Sequence, residues 1–132
     1  MKNEELFTIA KNNLAFCYAP YSNFRVSAVL ESENGIYTGV NIENASFGAT
    51  NCAERTAFFK AVSEGETKFK QILIIGSKGG KISNFCLPCG ICRQVMAEFC
   101  ECDFKIITAK SETEFKEYTL GELLPEAFGE MK

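Results

Sequence analysis

The chain has 132 residues, 46% hydrophobic and 23% charged, with a formal net charge of −3. This length fits one domain able to bury a core without covalent staples, and the acidic balance excludes the general attraction to phosphate on which nucleic-acid binding rests. No apolar run approaches the ~20 residues of a membrane helix, and Met1-Lys2-Asn3-Glu4-Glu5 does not open a signal peptide, so the cytoplasm is the expected location.

Leu6, Ile9, Ala10, Leu14 and Cys17 recur at helical spacing and predict an amphipathic helix ending before Ala19-Pro20. Val26, Ala28 and Leu30 alternate as on a strand, and Glu33-Asn34-Gly35 reads as a hairpin turn into a second strand, Ile36 to Val40. A helix is expected from about Cys52 to Ser63, closed by Gly65. The continuous apolar run Ile72-Leu73-Ile74-Ile75 predicts a strand covered on both faces. Lys78 to Pro88 reads as a loop, and a third helix begins near Cys89, carrying Val95, Met96 and Phe99 inward. Strands over Asp103 to Thr108 and Phe115 to Thr119 precede a short C-terminal segment. This order predicts an α/β layered domain spanning residues 1–132, with parallel pairing where a helix links two strands. Such connections bring the starts of both cysteine-bearing helices to one edge of the sheet.

Seven cysteines, at positions 17, 52, 86, 89, 92, 100 and 102, accompany a complete absence of histidine. An odd count in a chain not expected to be exported argues for metal-binding or buried thiols rather than a disulfide framework. Cys52-Ala53-Glu54-Arg55 and Pro88-Cys89-Gly90-Ile91-Cys92 place three thiols at helix starts, where positive partial charge favours the thiolate. Three sulfurs can hold a zinc ion and leave its fourth position to water, which separates a catalytic site from a closed structural one. Zinc lowers the pKa of such a water to about 7, and Glu54, within the same helical turn as Cys52, is placed to act as general acid–base. Three thiolates on one divalent cation leave an excess negative charge. Two of the three arginines stand in these motifs, and Arg55, joined by Arg93, is the expected counterweight.

A lone Cys-x-x-Cys also serves redox chemistry or structural zinc. Cys86, three residues before Cys89, is available as the fourth ligand of a closed site. Glu54 would have no purpose there. Cys17, Cys100 and Cys102 read as small packing side chains.

Cys-Ala-Glu followed by Pro-Cys-x-x-Cys resembles the zinc deaminase pattern, with cysteine where histidine is often the first ligand. Tyr18-Ala19-Pro20-Tyr21-Ser22, Asn41-Ile42-Glu43-Asn44-Ala45, Cys52-Ala53-Glu54-Arg55-Thr56-Ala57, Ala61-Val62-Ser63-Glu64-Gly65 and Leu123-Leu124-Pro125 extend the likeness. Over essentially its full length the chain resembles the small homotetrameric cytidine deaminases. The resemblance implies an α/β fold of three layers, with a mixed five-stranded sheet and helices on both faces. It implies hydrolytic deamination of cytidine and deoxycytidine, with one zinc per chain on Cys52, Cys89 and Cys92 and Glu54 as proton shuttle. Asn41 and Glu43, with Ile42 between them, match the ribose-binding segment. An amide and a carboxylate two residues apart on an extended segment also project to one face, as a diol requires. Phe24 and the Ala53 backbone match contacts to the pyrimidine, and Phe128 an aromatic that reaches a neighbouring subunit's pocket. The implied partners are a nucleoside and further copies of the chain, with neither nucleic acid nor membrane.

The chain departs from the pattern at Ser27, where glycine is usual, at Phe47, where many relatives have tyrosine, and at Leu87, where serine is common. These bear on substrate preference rather than on the reaction. The alternatives are deamination of a modified nucleoside such as blasticidin S on the same fold, and a structural zinc or redox module without turnover.

Overall fold

A computed structural model describes residues 1–129. Helix α1 spans Asn3–Asn13, with Glu4 and Glu5 in its first turn and Lys11 in its last, signs that complement the helix dipole. It ends earlier than the periodicity predicts. The Asn13 side-chain amide donates to Ile9 O at 2.9 Å, competing for a helix carbonyl, and Leu14–Phe16 continue as a 3-10 turn.

Strands β1 (Phe24–Ser32) and β2 (Ile36–Val40) form the expected hairpin. Ser32 Oγ closes its turn by accepting the Asn34 and Gly35 N–H groups at 3.2 and 3.1 Å. Then come α2 (Ala53–Ser63), β3 (Phe69–Lys78), α3 (Gly90–Phe99), β4 (Lys105–Ala109), β5 (Phe115–Thr119) and the short α4 (Leu120–Leu123). Both β1 and β3 run beyond their apolar centres. Phe24 and Arg25 pair with Lys78 and Ser77, because ladder hydrogen bonds need backbone groups and not apolar side chains.

The sheet order is β2-β1-β3-β4-β5. β3 and β4, linked by α3, pair in parallel as predicted, and β5 joins β4 antiparallel. The other helical link differs from the simple expectation: β1 lies between β2 and β3 and is antiparallel to both. β2 and β3 therefore share a direction without touching. The hairpin fixes β1 beside β2, and the buried run Ala28–Leu30 needs a second neighbour to satisfy the other edge of its backbone.

Alternation across the pleat sorts the core into two layers. Val29, Leu73, Ile75 and Ile107 face Leu6, Phe7 and Ala10 of α1. Ala28, Leu30, Ile72, Ile74 and Ile106 face α2 and α3. On that second face Phe58 of α2 is fully buried and its ring lies 5.0, 6.0 and 6.3 Å from those of Phe69, Phe104 and Phe99. Burying a side chain of this size contributes about 3 kcal/mol. Closeness of α2 to the sheet depends on Gly39 of β2: a Cβ there would lie 2.5 Å from Ala57 N and closer still to Ala53 O. The helix start is thus seated directly on bare strand backbone.

Candidate active site

β2 and β3 run the same way, and the chain leaves the end of each towards the start of a helix. Cys52 is the N-cap of α2, Cys89 the N-cap of α3, and Cys92 lies in the first turn of α3. Both helix N-termini therefore converge beyond the same ends of the strands, where open α/β sheets place ligands. The three sulfurs lie within 4.8 Å of one another, with Cys52 and Cys89 3.8 Å apart and Cys89 and Cys92 3.5 Å apart. Sulfurs bound about 2.3 Å from a tetrahedral zinc stand about 3.8 Å from each other, so the donor set and its spacing fit that ion. Cys86 does not join them. Among the described residues the cluster has three members, which leaves the closed four-cysteine site without its fourth ligand.

The charges are arranged around one sulfur. Arg55 donates from Nη2 to Cys52 Sγ at 3.2 Å. A hydrogen bond from Cys92 and then this guanidinium pull the Cys52 thiol down to about 5, against the effect of burial. Cys92, as the donor to that thiolate and itself buried, is driven up. Alone, the pair holds its negative charge on Cys52; a divalent cation is what lets Cys92 lose its proton as well. Arg93 takes no part in this balance, contrary to the expectation for it. Its Nε donates to Pro88 O and its Nη1 to Leu123 O, each at 2.8 Å, so it ties the cysteine loop to the end of α4.

Glu54 is 4% exposed and its Oε1 has no hydrogen-bond partner. Burial, with the neighbouring Cys52 charge adding to it, pushes its carboxyl up to about 7. A buried oxygen without a partner costs on the order of 1–3 kcal/mol unless something else meets it. It lines a cavity of about 300 Å³ together with Phe24, Asn41, Glu43, Ala53, Cys52 and Cys89. Glu54, two of the cysteines and the predicted nucleoside contacts Phe24, Asn41, Glu43 and Ala53 thus meet in one place. Sequence reasoning missed Ser22, Val26, Thr50, Asn51 and Cys86 in the same lining; Cys86, beside the second cysteine motif, carried the one usable signal.

The polar residues opposite the cysteines are already organised. Asn41 donates from Nδ2 to Phe24 O at 2.8 Å and accepts Val26 N–H on Oδ1 at 2.9 Å, extending the edge of β1. Glu43 accepts the Tyr21 and Ser22 N–H groups on Oε1 at 2.9 and 3.1 Å and the Ser22 hydroxyl on Oε2, and the Ser22 contacts hold its carboxyl below the usual range. Ile42 stays outside the lining; its backbone pairs with Asn51 through two bonds of 2.9 Å. Phe128 is 85% exposed and is not among the residues lining its own chain's cavity, while Gln94 Nε2 donates to its carbonyl at 3.1 Å.

Of the departures, Leu87 joins the cavity wall. Phe47 is exposed beside it, flanking a neighbouring hollow with Tyr21 and Thr50. Ser27 is fully buried with an unpaired hydroxyl. Cys17 donates to Val26 O at 3.2 Å. Burial pushes Cys86 and Cys100 up to about 12, which leaves both thiols uncharged, and Cys102 is exposed.

A three-sulfur cation position beside a buried carboxyl with one unpartnered oxygen, at the strand ends of a three-layer α/β fold, fits a metal-dependent hydrolase. Residues 1–108 match the family described as the cytidine and deoxycytidylate deaminase zinc-binding region, and the chain belongs to that family. It is 45% identical over 129 residues to a cytidine deaminase of Sporosarcina psychrophila, covering 97% of this chain and 92% of that one. With a cytidine deaminase of Halalkalibacterium halodurans it shares 47% identity over 112 residues, covering 84% and 82%. The crystal structure of the cytidine deaminase from Burkholderia pseudomallei superposes with a TM-score of 0.87 at 38% identity, covering 97% of this chain and 100% of that chain. That of the Mycobacterium tuberculosis enzyme superposes with a TM-score of 0.82 at 32% identity, covering 98% and 99%.

Proposed function

We propose that this chain converts cytidine and 2′-deoxycytidine to uridine and 2′-deoxyuridine with release of ammonia, a step of pyrimidine salvage. The observation that carries the reading is the buried Glu54 carboxyl, one oxygen of which has no partner, in the wall of a cavity that Cys52 and Cys89 of the three-sulfur cluster also line. Cys52, Cys89 and Cys92 would hold one zinc per chain, and when bound the ion supplies a Lewis acid that makes water a nucleophile near neutral pH. Glu54 takes a proton from the attacking water and passes it to ring N3. It then takes the second proton of that oxygen and, as the C4–N4 bond breaks, delivers it to the departing amino group, so that ammonia leaves and the water's oxygen stays on C4 as the carbonyl. A carboxyl pushed up to about 7 is matched to accepting and returning protons at that pH.

Asn41 and Glu43 orient the ribose from the far end of the cavity, and Phe24 with the Ala53 backbone flanks the pyrimidine. Arg55 moderates the thiolate charge through its bond to Cys52. Residues 1–132 act as one domain, in the cytoplasm, as a homotetramer. The exposed Phe128 ring would complete a neighbouring subunit's pocket.

The test combines metal analysis with ammonia release from cytidine. The purified protein is expected to hold about one zinc per chain and to consume cytidine. Glu54→Gln is expected to keep the zinc and lose turnover by at least about 100-fold. Near-normal turnover in that variant removes Glu54 from the proton transfers.

A further inference from the structure

The substrate cavity is not isolated. A second cavity of about 100 Å³ lies beneath the loop of residues 78–86, lined by Gly76, Lys81, Ser83 and Phe85 among others. Two residues, Phe24 and Cys86, line both. They are the partition between the two spaces. Gly76 is its footing on β3: a Cβ there would lie 2.7 Å from Phe24 Cζ and 3.1 Å from both Cβ and Sγ of Cys86. Ring and thiol are therefore pressed against bare backbone and cannot retreat that way. The larger cavity is the one that Glu54, Cys52 and Cys89 line, so the partition borders the space where a ligand's reacting atoms must sit.

We infer that Cys86 is a specificity-determining residue, which with Phe24 limits the substituents the enzyme accepts on the base by closing the way into the smaller cavity. The inference rests on the deaminase reading of the site. Its physics is steric. A side chain the size of cysteine, removed, joins an enclosed space to the substrate cavity and leaves room for a halogen or small alkyl group. A larger side chain at this position pushes into the space the base occupies. Changes of about one methylene in such a wall are worth roughly 10–200-fold in discrimination.

The experiment compares cytidine with 5-iodocytidine in the wild type and in Cys86→Ala, Cys86→Ser and Cys86→Leu. The ratio of kcat/KM for the iodinated substrate to that for cytidine is expected to rise about tenfold in Cys86→Ala and to fall in Cys86→Leu. In the near-isosteric Cys86→Ser it should stay within about twofold of wild type. Calorimetric binding of 5-iodouridine against uridine should follow the same order, and Cys86→Val replaces Cys86→Leu if the latter does not fold. Equal ratios in the small and large variants overturn the inference, as does loss of zinc from Cys86→Ala, which would make the thiol a ligand rather than a wall. A wild type that binds the uridines but releases no ammonia from cytidine sinks the proposed function instead, and the binding order still reads the partition.

Discussion

Gly39→Ala probes the dependence of the site on the fold. The added Cβ meets Ala57 N at 2.5 Å and Ala53 O at less. Both are backbone atoms of α2, so no rotamer change can relieve the contact. Carbon atoms settle at about 3.5–4.0 Å, which requires the start of α2 to retreat by about 1 Å. Overpacking of this kind costs about 3 kcal/mol, and for a chain of this length that lowers Tm by about 10 °C. The retreat also carries Cys52 away from Cys89, whose sulfur is 3.8 Å from its own, in a cluster meant for a metal that tolerates about 0.2 Å in its bonds. Zinc retention is therefore expected to fall by more than the loss of stability alone explains. The assay is thermal unfolding with and without added zinc, alongside metal content after dialysis against a weak chelator. A variant that melts within about 2 °C of wild type and keeps its zinc refutes the reasoning.

Arg55→Gln removes the donor 3.2 Å from Cys52 Sγ, so protons compete better for that sulfur; in a pH titration of zinc release the midpoint is expected to move upward, and an unmoved midpoint denies Arg55 its charge role. In zinc-free protein the folded Glu54 carboxyl lies above its ordinary value, at about 7, so its contribution is fully present below about 4.5 and is lost as pH rises towards 7. Glu54→Gln escapes that loss, and its melting temperature relative to wild type is expected to climb between those pH values by an amount worth roughly 3 kcal/mol; a constant difference contradicts the shift. Asn41→Ala leaves Val26 N–H and Phe24 O without their partners and is expected to cost about 1–3 kcal/mol as well as raising KM for cytidine, whereas a pure KM effect would show that the β1 edge does not need it. Chelation of zinc is expected to abolish deamination and lower Tm, with both restored by zinc addition, and activity persisting in metal-free protein would contradict the role of the cysteines.

Much of this was legible because the physics is local. Period-two alternation at Val26, Ala28 and Leu30, the apolar run at Ile72–Ile75, and the helical spacing of Val95, Met96 and Phe99 each report a face that must be buried. The cysteine motifs were readable for the same reason, since helix starts stabilise thiolates wherever they occur. What the residues could not reveal depended on distant neighbours. The place of β1 between β2 and β3 is set by pairing across the sheet, and Arg93 turns from the thiolates because Leu123 O, thirty residues on, offers it an acceptor. Cys86 faces the substrate cavity because its loop folds back over Gly76, a contact no spacing rule records. The ends of β1 and β3 were missed because paired backbone can carry polar side chains past the core.

The sulfur ligands come from the starts of two separate helices that the fold packs on one face of the sheet. The three-sulfur position therefore belongs to the folded chain, and an unfolded chain offers no comparable grip. By mass action the occupied form withdraws molecules from the unfolded pool, so cellular zinc supply acts as a control on how long each molecule escapes proteolysis, separate from any effect on turnover.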